Sequence, residues 1–336
     1  MTGLPKRGRG RKSAAAEVAY TKELEAFCED IRQINSTLDF RVSSRGWCYI
    51  LEDRIGLAKG DFDSAQELIN DCRKSGLLPL DICAQDGSRA ADGIEVLDRL
   101  APRQEAEAWI ETLKSAHQRY TPFSFWKDKE YYCEMWVEKI DLKSLFAFTC
   151  SSFNIPITNV KGWNDINSRA AAMRRFQEWE DRGNQCVLLY CGDHDPGGLA
   201  ISSQIMSNLK DLSKAVGWDP SNLIIDRFGL NYDFIEVNNL SWIDNLETSS
   251  GGRLDDPRHK DHLKPYVQDY LRKFGVRKVE ANALVVRPVE GRRLCRDAIR
   301  RYVPENALLN YRAALDVERR KVKEEIASLL RAEAAE

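Results

Sequence analysis

From Ala19 to Leu38 the apolar residues Tyr20, Leu24, Phe27, Ile31 and Ile34 recur three or four positions apart, the spacing of one helix face. A shorter helix follows over Ser44–Gly56, opening on Ser43 or Ser44 as its cap. After Gly60-Asp61-Phe62-Asp63, a third helical stretch runs from Ser64 to Ser75 and stops at Gly76. Leu77-Leu78-Pro79-Leu80-Asp81-Ile82 then reads as extended. Helix, turn, helix and short strand in close succession outline a winged helix-turn-helix, and plain three-helix packing has the same outline.

A Glu-, Ala- and Gln-rich connecting helix over 103–118 is broken at Tyr120-Thr121-Pro122. The pattern then changes. Tyr131–Val137 is a β-prone run that ends in Glu138-Lys139, with a helix over Leu142–Ser151, a short strand over Ile155–Val160 and an amphipathic helix over Asn167–Arg182. Cys186–Cys191 is continuously apolar, as in strands buried on both faces of a parallel sheet. A helix over Leu199–Leu212 and a strand over Leu223–Asp226 continue a β-α-β-α alternation, the signature of a doubly wound α/β domain. A polar loop over Ser249–His262 precedes helices over Pro265–Phe274, Arg292–Val303 and Asp316–Ala335.

Composition narrows the class. With 336 residues and 43% apolar side chains the chain can build about two cored domains. No apolar run reaches the ~20 residues of a membrane span, and residues 1–16 lack the apolar core of a secretory signal. Nine dispersed cysteines without a Cys-x-x-Cys pair argue for reduced thiols, so a soluble, cytoplasmic protein is expected. The net charge of −2 hides an asymmetry: Lys6, Arg7, Arg9, Arg11 and Lys12 precede the first acid, and removing these five charges takes −2 to −7. This tail reads either as a DNA contact, its arginines entering a minor groove, or as a solvated terminus. A phosphate-binding P-loop is excluded, because Arg9-Gly10 stand where Lys-Ser/Thr is required.

Chemistry concentrates in Gly192-Asp193-His194-Asp195-Pro196-Gly197-Gly198. Asp193 and Asp195, two positions apart on extended chain, share one side, at the strand end where ligands of α/β sheets collect. Oxygen-only ligands of this kind suit Mg²⁺, with Mn²⁺ as a substitute. An ordinary Asp-Pro-Gly turn capping the next helix has the same residues. Glu138 ends a neighbouring strand and joins the two aspartates in one expected acidic cluster, with Glu134 as its competitor; three clustered acids call for a cation. His194 points away from its neighbours' side and reads as a supporting residue. His259-Lys260-Asp261-His262 sits in a polar loop without strand context. Phe123, Phe125, Trp126, Tyr131 and Tyr132 could stack on bases, and a domain interface is the better reading.

A strand ending in Glu138-Lys139, then a strand ending in Asp193-His194-Asp195-Pro196-Gly197-Gly198, resembles the Toprim domain. Pro196 points to the branch formed by the topoisomerase VI A subunit and the proteins that make meiotic double-strand breaks. That family places Arg-x-x-Tyr-Tyr in a preceding winged helix, the second tyrosine acting. Arg45-Gly46-Trp47-Cys48-Tyr49 stands in the matching place, with Cys48 for the first tyrosine. Glu280-Ala281-Asn282-Ala283-Leu284 is similar to a late Glu-x-x-Ala-Leu stretch, which makes Glu280, with Lys139 and His194, a supporting residue.

The resemblance spans residues 35–310 and implies an α/β chain in which a winged helix-turn-helix domain (19–100) and a connecting helix (101–122) precede a Toprim domain with a Rossmann-like, mostly parallel sheet (123–312); the residue pattern adds a basic flexible tail (1–18) and a charged C-terminal helix (313–336). It implies Mg²⁺-dependent cleavage of duplex DNA by Tyr49, with Arg45, on the same helix face, holding the phosphate and Glu138, Asp193 and Asp195 holding the metal. Since tyrosine and acids lie on separate domains, they are expected to meet across a homodimer. Strand passage would require a separate ATPase subunit. Two alternatives stand: a Toprim nuclease that hydrolyses DNA with metal-activated water, Tyr49 being packed in the core, and a non-catalytic DNA-binding factor.

Overall fold

In a computed structural model of the chain, which describes residues 3–7, 13–84, 93–95, 97, 100–160, 166–248 and 251–333, the N-terminal periodicity folds into α1 (Ala14–Ser36), α2 (Ser44–Ile55) and α3 (Phe62–Lys74). Ser43 starts α2 by accepting the Gly46 N–H on its side chain. Gly56 ends it at φ 68°, a left-handed conformation that glycine adopts at little cost. Phe27, Ile31, Trp47, Leu51, Phe62 and Ile69 from the three helices are buried together.

The extended segment expected over Leu77–Ile82 is not a strand. Leu80–Ile82 forms a single 3₁₀ turn. The Leu78 N–H turns back to the Cys72 carbonyl, Arg73 takes the Leu80 carbonyl, and Pro79 has no N–H to give a ladder. The polar groups of the segment are thus used locally, and among the described residues no strand pairs with it.

Beyond the connecting helix α4 (Pro102–Ser115), strands and helices alternate: β1 (Tyr131–Val137), α5 (Ile140–Ser152), β2 (Ile157–Asn159), α6 (Ile166–Glu180), β3 (Gln185–Cys191), α7 (Pro196–Leu199), α8 (Ile201–Lys210), α9 (Ser213–Val216) and β4 (Ile224–Gly229). The four strands form one parallel sheet in the order β2-β1-β3-β4. The chain is therefore α/β, and β1 and β3 are buried along nearly their whole length, as a helix-covered parallel sheet requires. Register sets the geometry that matters for function. Val137 lies opposite Cys191, and the Glu138 N–H donates to the Cys191 carbonyl. The chain leaving β1 at Glu138 and the chain leaving β3 at Asp193 emerge side by side.

After β4 come α10 (Tyr232–Val237), α11 (Pro265–Phe274), a 3₁₀ stretch over Ala281–Val286, α12 (Pro288–Arg300) and α13 (Ala307–Glu333). Helix α2 packs on Ala281–Val286, and the buried apolar residues of the helical third and of the sheet form one continuous cluster. Tyr131 packs edge-on against Tyr302 and Phe125 against Tyr311 of α13, both with ring centroids 5.3 Å apart, so these aromatics join elements to one another. All nine cysteines are free and buried. Among the described residues, no helix is long and apolar enough to cross a membrane.

Candidate functional site

Glu138 and Asp193 meet at the carboxyl edge of the sheet. The Asp193 N–H donates to Glu138 Oε2 at 2.9 Å, and the Tyr190 hydroxyl approaches the same oxygen at 3.4 Å. A Cβ on Gly192 would lie 2.6 Å from both Glu138 Oε2 and the Tyr190 hydroxyl, so the carboxylate fits here because that residue is glycine. Asp193 Oδ1 accepts the Ala281 N–H at 2.8 Å. Asp195 caps α7, accepting the Gly198 N–H at 2.6 Å on Oδ1. The ordinary capping role therefore uses one oxygen of Asp195. Lys139 completes the group: its Nζ lies 3.1 Å from Glu138 Oε1 and 2.8 Å from Asp193 Oδ2.

Glu134, the competing acid, is elsewhere. It is wholly buried and taken by Arg175, at 2.7 and 2.8 Å, and by the Tyr132 hydroxyl. His194 faces away from both aspartates, its ring against Trp242, Tyr270 and Phe274 and its Nδ1 3.0 Å from the Leu230 carbonyl. Burial lowers its pKa, with the Leu230 hydrogen bond opposing. His262 Nδ1 is likewise engaged within its own loop, by the Leu254 carbonyl.

On the facing side, Arg45 donates to both oxygens of Glu280 at 3.1 and 3.2 Å, and Tyr49 donates its hydroxyl to Glu280 Oε2 at 2.8 Å. Tyr49 is only 1% exposed, its ring edge-on to Phe62 and covered by the Lys59 ammonium 4.0 Å from the ring centre. Arg45, Glu280, Glu138, Lys139, Asp193 and Asp195 line a single cleft of about 570 Å³ within one chain. Arg45 thus shares the cleft with the strand-end acids of its own chain, whereas Tyr49 lies behind the wall and does not line it.

Two contributors escaped the sequence reading. Arg227 on β4 donates to the carbonyls of Gly198 (2.7 Å), Leu230 (2.9 Å) and Asp193 (3.1 Å), clamping the aspartate turn; it falls just past the strand expected over Leu223–Asp226. Asp141, fully buried, accepts from the Ser43 hydroxyl and N–H and from Asn282, and so ties the start of α2 to the Ala281–Val286 stretch. Of the tail cations, Arg7 pairs with Glu17 at 2.9 Å and Lys6 is exposed, while Arg9, Arg11 and Lys12 lie outside the described residues. Helix α3 presents Asp63, Glu67 and Asp71 to solvent, together with Lys74, which pairs with Asp71 at 2.9 Å.

The cleft is electrostatically unbalanced. Glu138, Asp193, Asp195, Glu247, Asp261 and Glu280 face Arg45, Lys139 and Lys278. Burial pushes Asp193 up to about 7, with Lys139 opposing and Glu138 and Asp195 adding to the rise. Burial also raises Asp195, against the Gly198 N–H. At Glu138 burial is outweighed by Lys139 and the Asp193 N–H, so its carboxyl falls below the ordinary range. Burial acts against the Lys139 charge too, and Asp193 and Glu138 more than compensate. Tyr49 is driven well above the usual phenol value by burial and then by the Glu280 charge. Glu280 itself is lowered, since Arg45 outweighs its burial.

The donor set, carboxylate oxygens around a cleft with surplus negative charge, fits a hard divalent cation. The Lys139 ammonium lies between Glu138 and Asp193. As placed, no three His, Cys, Asp or Glu side chains among the described residues converge into a ready-made metal group. No protein-family model matches this chain, and no curated protein matches it.

Proposed function

We propose that this chain cleaves DNA strands in a divalent-cation-dependent reaction at the acidic cleft, in the manner of the Toprim proteins that its strand-end motifs resemble. The observation that carries this reading is the gathering of Glu138, Asp193 and Asp195 with Arg45 and Lys139 around one cleft. Its carboxylates outnumber its cations, so an anionic phosphodiester needs added positive charge to enter. Glu138, Asp193 and Asp195 would hold Mg²⁺ or Mn²⁺, which supplies charge stabilisation for the transferring phosphate. Arg45 binds that phosphate: its planar fork, now paired with Glu280, presents the same two donors to phosphate oxygens. Arg227 keeps both aspartates aligned by holding the backbone of their turn.

Water is the nucleophile that the geometry favours. The Tyr49 hydroxyl is buried behind Glu280 and held protonated by burial and by that carboxylate. A second reading draws on the same hydrogen bond. Glu280 is positioned to receive the phenol proton, and Tyr49 would attack phosphorus, breaking the bond to one DNA sugar oxygen, which leaves as a hydroxyl, and giving a phosphotyrosyl link, as in the topoisomerase VI A family. Both routes require the Arg45–Glu280 pair to open for Arg45 to take the phosphate, and the homodimer and ATPase subunit belong to the tyrosine route.

Trapping the reaction with denaturant, digesting the DNA and looking for labelled nucleotide on the protein separates the two. Hydrolysis gives free DNA ends from wild type and Tyr49→Phe alike. Label on wild type that is absent from the Phe variant assigns the chemistry to tyrosine instead. No cleavage by wild type in Mg²⁺ or Mn²⁺ removes both.

A further inference from the structure

The oxygens of Glu138 and Asp193 divide into two sets. Glu138 Oε2 is occupied by the Asp193 N–H and the Tyr190 hydroxyl, and Asp193 Oδ1 by the Ala281 N–H. The remaining pair, Glu138 Oε1 and Asp193 Oδ2, converges on the Lys139 ammonium at 3.1 and 2.8 Å. A divalent ion shared by these acids has to take the oxygens that Lys139 now holds, and two cations cannot occupy that point together.

We propose that Lys139 is a resident counter-ion of the cleft, which neutralises Glu138 and Asp193 in the metal-free protein and must withdraw for a divalent cation to bind. The inference rests on the divalent-cation reading given above. The side chain is built for such a move. Lys139 precedes α5 in an extended conformation, its flexible stem keeps 24% of its surface exposed, and it lines the open cleft. The acids cannot follow it, because strand ends and backbone N–H groups fix them. The arrangement spares the metal-free protein two adjacent unpaired carboxylates, and it weakens the metal by the work of displacing the ammonium.

Mn²⁺ titration followed by calorimetry, with electron paramagnetic resonance of the free ion, tests this directly. Lys139→Met keeps the stem and removes the charge; it should bind Mn²⁺ at least about tenfold more tightly than wild type. Lys139→Arg, which keeps the charge, should bind no more tightly than wild type. The added affinity should disappear when Asp195→Asn is combined with Lys139→Met, locating the ion at this cleft. Without metal the Met variant should melt below wild type, and Mn²⁺ should raise its melting temperature by more. If Lys139→Met needs metal to fold, Lys139→Gln refolded with and without Mn²⁺ gives the same comparison. Measurable binding with equal or weaker affinity in the uncharged variants overturns the counter-ion role alone. No Mn²⁺ binding by wild type or by any variant overturns the divalent-cation reading with it.

Discussion

At Glu280 one carboxylate accepts from Arg45 on both oxygens and from Tyr49 on one, and these bonds fix α2 against the cleft wall. Such a group is a pH-linked stabiliser, and the sign follows from its lowered pKa. The carboxylate contributes stability at pH values above its unfolded pKa, and that contribution is lost as pH falls through the lower folded value. Glu280→Gln should therefore cost about 2 kcal/mol at neutral pH. Melting temperatures of wild type and variant should draw together as pH falls below the ordinary Glu value of about 4.3 and on through the lower folded value. A gap that stays constant across that range would show that the carboxylate charge is not what Arg45 and Tyr49 respond to. The sequence exposed Asp193, Asp195 and Glu138 because acids at strand ends are recognisable locally. It exposed Glu280 through a short resemblance and hid the bridging geometry of Lys139, which depends on a neighbouring strand.

Among the elements, the turn into α7 is the most tightly constrained. A Cβ on Gly198 would lie 2.1 Å from the Asp193 carbonyl oxygen, a backbone atom that Arg227 also holds. Gly198→Ala should destabilise the protein by about 1–3 kcal/mol or more. Gly60→Ala, whose new methyl meets nothing within 4 Å, should be nearly neutral. Urea unfolding of the two variants checks the contrast; equal midpoints would mean the turn relaxes freely. Elements with strong periodicity were legible: the run Tyr131–Val137 is β1 residue for residue. Helix α10 and the 3₁₀ stretch Ala281–Val286 were not, since each is six residues long and too short for a face to repeat. Leu77–Ile82 misled because apolar content alone cannot distinguish a strand from a chain closing a helix with its own carbonyls.

On the scale of the whole molecule, the shape of the cleft depends on how the helical third docks on the sheet. Arg45 and Glu280 are 235 positions apart in sequence, and Ser43 reaches Asp141 across 98. No local pattern encodes such pairings, which is why the sequence did not place Arg45 beside the strand-end acids of its own chain. The central claim is that this cleft cleaves DNA with a divalent cation held by its strand-end acids. It is tested most directly by following supercoiled plasmid with wild type and Asp195→Asn, in Mg²⁺ and in EDTA, alongside DNA binding and circular dichroism of both proteins. The account predicts nicked or linear plasmid with wild type in Mg²⁺ alone, and none with the folded, DNA-binding Asn variant. Cleavage by wild type in EDTA, undiminished cleavage by Asp195→Asn, or intact plasmid under every condition would contradict it.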